Sequence, residues 1–186
     1  ILPLTTTSYG DSPYQSFSAR AGNPNFIDFA ELIEAGYLEQ RDIDGVYLGS
    51  DPSNVDYGAI FGGRRQILDR AAERFAADKP ADFDDFVQTN EDWLIPYCEF
   101  MTVKEECGLK AFWEWPEELR TRGEASAKVC AAHPTRMLYH QMTQYFFNRQ
   151  WSRLKAYANE RDILIIGDLP IYVSRDSVEM WATPEL

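Results

Sequence analysis

Two short apolar runs enclose a long stretch of the chain in which apolar residues recur at helical spacing. Residues 1–4 form the first run, and residues 163–166 form a continuous branched run that Gly167 and Asp168 close. Strands that are apolar on both faces belong to parallel sheets covered by helices. The pattern therefore predicts an α/β fold with two parallel strands, at 1–4 and 163–166.

Helical periodicity fills most of the chain between these runs. Asp28 followed three positions later by Glu31 is a capping-box pattern, and the helix it opens should end near Gly36. The other apolar stripes predict helices at 67–75, at 83–101 with a kink or restart at Pro96, at 125–132 and at 137–160. Helix, turn, buried strand and polar loop form the repeating unit of a β/α barrel or of a doubly wound sheet. The helical middle is far longer than the crossover of about a dozen residues that such a unit needs, so it predicts an inserted subdomain.

Charge and composition narrow the classes of function. The formal net charge of -12 disfavours binding to nucleic acid or to an anionic membrane surface. No apolar run approaches the roughly 20 residues of a membrane span, and the absence of a signal pattern favours a cytoplasmic protein. The three cysteines form no CxxC pair and the two histidines lack metal-ligand spacing, so we expect reduced thiols and no metal. The start without Met suggests a piece of a longer protein.

Residues 5–24 form a polar and aromatic loop that should lie near Asp168. Loops that follow parallel strands emerge on the same side of the sheet, which predicts that this loop and Asp168 face one cleft. Aromatic rings cover the apolar face of a pyranose, and carboxylates, hydroxyls and amides bind its hydroxyl groups, so the set suits a sugar. The loop residues predicted to contribute are Tyr9, Asp11, Ser12, Tyr14, Gln15 and Ser16.

Two simpler interpretations stay open for the acidic residues. Gly10 to Pro13 can be a turn in which Asp11 bonds its own backbone, and Asp168 can be a cap or turn residue after a strand. The tryptophans at helical spacing are assigned to packing and not to sugar stacking; they are Trp93, Trp113, Trp115 and Trp151.

Two sequence blocks carry a family resemblance. The first is YGDSPYQSFSA at 9–19 with AGNP at 21–24, and the second is RQW at 149–151, LK at 154–155, IIGDLPIYV at 165–173, DS at 176–177 and Trp181. Both blocks, in this order, resemble amylomaltases and plant disproportionating enzymes, which are 4-alpha-glucanotransferases of the alpha-amylase clan. The chain departs from the family at Arg20 and Asn148, where the family usually has aromatic residues; neither position is a reacting group.

The resemblance implies part of a (β/α)8 TIM barrel with a large inserted helical subdomain. Residues 1–4 would resemble the end of the second barrel strand and 164–167 the third. The implied divisions are 1–25 for a barrel strand and the substrate-binding loop, 26–135 for the inserted helical subdomain, and 136–186 for a barrel helix, a barrel strand and the following loop. Tyr9 and Tyr14 would resemble glucan-contacting aromatic residues, and Asp168 the clan's supporting aspartate, which is not the nucleophile.

The resemblance also implies a reaction and a partner. Family members transfer segments of alpha-1,4-glucan or maltooligosaccharide by a retaining double displacement, with an Asp nucleophile and a Glu acid/base. Both carboxylates are expected on later barrel strands beyond Leu186, so the chain should need the remainder of the barrel and be inactive alone, with no cofactor. The alternatives are a non-catalytic helical module that binds glucan or protein, and a fragment of an alpha-amylase-clan hydrolase.

Overall fold

Helices form most of the structure. The computed structural model describes residues 1–169 and 171–185, without the side chain of Tyr9. Its α-helices are α1 (Phe29–Glu34), α2 (Gln40–Ile43), α3 (Tyr57–Ala77), α4 (Phe83–Thr89), α5 (Glu91–Glu106), α6 (Glu124–Ala132), α7 (Pro134–Asn159) and α8 (Val178–Ala182). Single 3-10 turns lie at Tyr9–Asp11, Pro24–Phe26, Phe112–Glu114 and Glu117–Leu119. None of the helices in the described part of the chain is long and apolar enough to cross a bilayer.

The longest helix, α7, packs against α3 and α5, and the core lies on both sides of this contact. On one side the buried ring of Phe75 lies edge-on to Phe83 at 4.9 Å and to Phe146 at 5.7 Å. On the other side Trp181 of α8 lies 5.6 Å from Phe100 and 6.1 Å from Trp115. Such offset aromatic contacts stabilise beyond the area they bury, so α8 is held firmly against α5.

The two predicted strands do not form. Within residues 1–169 and 171–185 the only β-bridge is an isolated antiparallel one between Thr5 and Gly22. The two runs do touch, since the N-terminal ammonium group of Ile1 donates to the Ile166 carbonyl at 2.7 Å and the Asp168 amide donates to the Ile1 carbonyl at 3.0 Å. Two hydrogen bonds do not make a ladder, and a pair of isolated strands is marginal without a covered face.

The predicted α/β class, a partial TIM barrel with two parallel strands, was therefore wrong for the described chain. Leu164 is 83% exposed and Ile166 is 81% exposed, so no layer packs on the face that these two residues share, and on the other face Ile163 is still 55% exposed. Apolar composition indicates a buried strand only where neighbouring strands and helices supply the burial. The division at 1–25, 26–135 and 136–186 stays a prediction.

Most helix signals mark real ends, but α3 begins at Tyr57, ten residues before the predicted start at residue 67, and the predicted break at Pro96 is displaced. The Asp28 carboxylate accepts from the Ala30 amide at 2.9 Å and caps α1, but the predicted capping box with Glu31 does not form, because the Asp28 amide donates to Gln150 Oε1 at 2.8 Å. The break expected at Pro96 instead falls at Asn90, between α4 and α5. The Asn90 side chain donates to the Phe86 carbonyl at 2.8 Å and accepts from the Trp93 indole at 3.0 Å. These side-chain bonds compete with the helical backbone bonds, and α5 then runs through Pro96.

Candidate functional site

The loop 5–24 is folded back on itself by backbone hydrogen bonds. At its base the Thr6 amide donates to the Ala21 carbonyl at 3.1 Å, and nearer the tip the Ser8 amide donates to the Gln15 carbonyl at 2.9 Å. These bonds fix both arms of the loop and project the segment between them outward. Tyr14 lies in this segment and is 46% exposed.

Tyr14 meets Asp168 although 154 positions separate them in the sequence. The Tyr14 hydroxyl donates to Asp168 Oδ2 at 2.6 Å. This bond to a carboxylate, helped by partial desolvation and by the negative charge, raises the pKa of the Tyr14 phenol above its usual range. The geometry brings together the two segments that the sequence predicted to share one cleft.

A cavity of about 380 Å³ opens at this contact. Its lining residues are Tyr14, Asp168, Leu169, Ile171 and Tyr172. Tyr172 is 79% exposed, and it places a second phenol ring in the cavity that holds the Asp168 carboxylate. A carboxylate among aromatic rings can bind sugar hydroxyls and cover an apolar sugar face.

The other predicted loop residues have different surroundings. Ser16 is 7% exposed, and its hydroxyl bonds Thr6 Oγ1 at 2.9 Å and the Ser18 carbonyl at 2.6 Å, so it holds the loop from inside. Ser12 Oγ accepts from the Tyr14 amide at 3.3 Å, which is a turn contact. Gln15 is exposed beside them. The predicted side-chain role of Tyr9 lies outside the described residues.

Asp11 faces a second cavity, of about 250 Å³, instead of the Asp168 cavity. Its backbone φ of 53° lies in the left-handed region that suits a turn. Buried Ser8 Oγ and Arg64 Nε border the same cavity without a hydrogen-bond partner in the described part of the chain. The structure thus separates Asp11 from Tyr14 and Asp168, which the sequence had placed in one group.

A partly buried charge cluster lies at this second cavity, which Arg65, Glu105 and His140 line. Glu105 Oε2 lies 2.7 Å from Arg136 Nε and 2.8 Å from Arg65 Nη2, and His140 Nε2 lies 3.2 Å from Glu105 Oε1. Burial would raise the pKa of Glu105, but His140 and Arg136 outweigh it and lower that pKa to about 2. Burial also lowers the pKa of His140, with Glu105 opposing. Glu105 is therefore held ionised.

Sequence reasoning missed this cluster, Tyr172 and the position of Trp113. The only signal for the cluster was the spacing of Arg136 and His140 one helical turn apart, which many solvated helix faces share. Trp113, assigned to packing, is 37% exposed, and the Arg175 guanidinium lies 4.4 Å from its ring centroid. Trp115, by contrast, is 1% exposed, as its assignment to packing predicts.

Known proteins similar to this chain form a consistent group. The family model described as 4-alpha-glucanotransferase, glycoside hydrolase family 77, matches residues 1–186. A 4-alpha-glucanotransferase of Streptococcus pneumoniae is 49% identical over 189 residues, and one of Clostridium butyricum is 38% identical over 187 residues. Among solved structures, an amylomaltase from Streptococcus agalactiae in complex with acarbose aligns with a TM-score of 0.93 and 48% identity.

These relatives are much longer than the chain. The matches cover 100% of this chain but 37% of the Streptococcus pneumoniae protein, 38% of the Clostridium butyricum protein and 38% of the Streptococcus agalactiae structure. The similarity thus extends over all of the residues present here and over somewhat more than a third of each relative.

Proposed function

We propose, because this chain belongs to the 4-alpha-glucanotransferase family, that it forms part of an enzyme that transfers alpha-1,4-glucan segments between maltodextrins. Its share of the work is to hold the glucan. The observation that carries this proposal is the bond between Tyr14 and Asp168, which joins two distant loops at one open cavity.

Each side chain in that cavity has a physical role in holding a sugar. The Asp168 carboxylate accepts hydrogen bonds from ring hydroxyl groups, and charge assistance makes such bonds stronger than neutral ones. The Tyr14 hydroxyl fixes the carboxylate, while the Tyr14 and Tyr172 rings offer faces to the C–H side of a pyranose. Asp168 therefore positions the sugar and is not assigned as the nucleophile.

The reaction proposed for the whole enzyme is a retaining double displacement. A carboxylate attacks the anomeric carbon, an acid protonates the leaving oxygen, and a sugar hydroxyl instead of water then takes up the glucosyl group. The partners are an alpha-1,4-glucan or maltooligosaccharide and the remainder of the parent barrel. The free cysteines Cys98, Cys107 and Cys130 support a cytoplasmic location.

Calorimetric titration with acarbose or maltoheptaose tests the binding role. We expect Asp168→Asn to weaken binding by about tenfold or more, since a hydrogen bond to a charged group contributes about 1.5–3 kcal/mol. Tyr14→Phe should weaken it by about fivefold, because the Asp168 carboxylate keeps its charge but loses the hydroxyl group that holds it in place. Asp162→Asn and Tyr47→Phe are matched controls, because both side chains are exposed and neither lines the Asp168 cavity.

Equal affinity in all five proteins, or no binding by the unaltered chain, would contradict the binding role. The transfer reaction needs a separate test on the full-length protein that carries this sequence. Incubated with maltotriose, it should produce both longer and shorter maltodextrins. Release of glucose alone would indicate a clan hydrolase, and no reaction would favour a non-catalytic binding module.

A further inference from the structure

Lys104 on α5 is a buried cation, with a side chain that is 1% exposed. Its ammonium group donates to Asp176 Oδ2 at 2.6 Å and to the Lys110 carbonyl at 2.9 Å. The other Asp176 oxygen accepts from the Phe112 amide at 3.2 Å, and the Asp176 side chain is 3% exposed. Both charges are therefore paired, hydrogen-bonded and withdrawn from water.

The same ammonium group contacts residues next to both chain segments that line the Asp168 cavity, the Tyr14 loop and the segment that follows Asp168. Asp176 lies eight positions after Asp168, in the segment that leads into α8. Phe17 lies three positions after Tyr14, and its ring centroid is 4.7 Å from Lys104 Nζ, within cation–π distance. The two segments also bond each other beside this point, where the Val178 amide donates to the Phe17 carbonyl at 2.9 Å.

A gain in the stability of the folded chain does not by itself explain this buried ion pair. Withdrawing two charges from water is costly, and well-packed apolar residues in place of a buried ion pair often leave a protein equally stable or more stable. The pair instead specifies a geometry, because its hydrogen bonds fix Asp176 against α5 and the cation–π contact of Lys104 places Phe17 beside them. Helix α5 is also the rigid partner here, since it packs along α7.

We propose that Lys104 is a positioning residue, whose ammonium group fixes the Tyr14 loop and the Asp168 segment against α5 so that these two side chains meet. The inference that Tyr14 and Asp168 meet in order to bind a glucan rests on the proposed function. The placement itself does not, because the contact between Tyr14 and Asp168 exists whether or not a glucan binds.

The test compares Lys104→Met with the double variant Lys104→Met/Asp176→Asn in the full chain. The single variant strands the Asp176 charge and is expected to melt at a lower temperature than the double variant, which has no unpaired charge there. Lys128→Met is the matched control, since Lys128 is 75% exposed and pairs with Glu124 on its own helix.

The decisive measurement is the titration of Tyr14, followed by NMR of ring-labelled tyrosine and assigned with Tyr14→Phe. In the unaltered chain and in Lys128→Met, the bond to Asp168 keeps the pKa of Tyr14 above the ordinary value of 10.0. In both Lys104 variants the pKa should fall back toward that ordinary value, because the two loops no longer meet.

Two results would overturn the proposal. One is a folded double variant in which the pKa of Tyr14 is still raised. The other is failure of both variants to fold, which would mean that the pair holds the whole core and not the loops. If the unaltered chain does not bind a glucan, that result counts against the proposed function alone, since the Tyr14 titration does not need a glucan.

Discussion

At the scale of single residues, Glu105 shows how burial and partners set a charge. Its carboxylate is surrounded by Arg65, Arg136 and His140, and its pKa lies near 2 instead of 4.5. A lowered carboxyl pKa stabilises the folded state above pH 4.5 and loses that effect as the pH falls toward 2. His140 acts in the same direction, because burial lowers its pKa below 6.5 and acid must charge it.

We therefore expect the free energy of unfolding to fall with pH below about 6.5 and to fall further below about 4.5. Urea unfolding between pH 7 and pH 3 measures this dependence. Glu105→Gln should cost about 1–3 kcal/mol at pH 7, because the partly exposed Arg65 loses its counter-charge and Arg136 keeps only Asp69, and should flatten the dependence below pH 4.5.

Glu106→Gln serves as the control for that variant. Glu106 is 41% exposed and lies 3.2 Å from His133, a contact that water screens. We expect its unfolding free energy to stay within about 0.5 kcal/mol of the unaltered chain. If Glu105→Gln and Glu106→Gln behave alike, the buried cluster does not have the energetic weight assigned to it.

At the scale of elements, the approach of the loop 5–24 to α7 depends on Gly22. Its amide donates to Gln144 Oε1 at 2.8 Å, and Gln144 Nε2 donates to its carbonyl at 2.9 Å. A Cβ atom added at Gly22 would lie 2.0 Å from the Phe147 ring, so a side chain there must displace this ring or push the loop away from α7.

Gly22→Ala should therefore destabilise the chain by about 1–3 kcal/mol, the usual cost of overpacking. Gly62→Ala is the matched control, because a Cβ there meets nothing within 4 Å and alanine favours a helix over glycine by up to about 1 kcal/mol. Thermal unfolding should move in opposite directions for the two variants. A higher melting temperature for Gly22→Ala would contradict this prediction, because it would show that a methyl group fits between the loop and α7.

The elements also show what the sequence could predict. Helix α1 and its cap at Asp28 follow from local signals, because the capping bonds join residues close in the chain. The strands at 1–4 and 163–166 were predicted from apolar composition, which depends on neighbours that a local pattern does not contain. A helix can be predicted from the spacing of its own residues, whereas a buried strand can be predicted only when the strands and helices that cover it are known.

At the scale of the whole molecule, an apolar run stands exposed beside the site. Its large side chains, between 79% and 83% exposed, are Leu164, Ile166, Leu169, Ile171 and Tyr172. Exposed apolar stretches of this kind favour association. They also fit the proposed contact with the remainder of a barrel.

The purified chain should therefore self-associate as its concentration rises, and sedimentation velocity measures this. The double variant Leu164→Lys/Ile166→Lys should shift the chain toward monomer, because two charges interrupt the apolar run. Val55→Lys is the control, since Val55 is 55% exposed elsewhere on the surface. A monomer at all concentrations in the unaltered chain would contradict this prediction.

The sequence could predict that Tyr14 and Asp168 lie together in the site, but it could not predict which residue positions them. The order of strands and loops suggested the meeting even though the strands themselves were wrong, because the two segments still touch at Ile1. Lys104 is different: it has no motif, and its role depends on partners 72 and 87 positions away, at Asp176 and Phe17. Such long-range pairings arise from packing that no local pattern encodes.

NMR titration of the chain with acarbose shows whether two distant loops form one glucan site at Tyr14 and Asp168. We expect the signals of Tyr14, Asp168 and Tyr172 to shift together with a single affinity, and Asp168→Asn to reduce this affinity by about tenfold or more. Shifts confined to other surfaces, with these three residues unchanged at saturation, would contradict it.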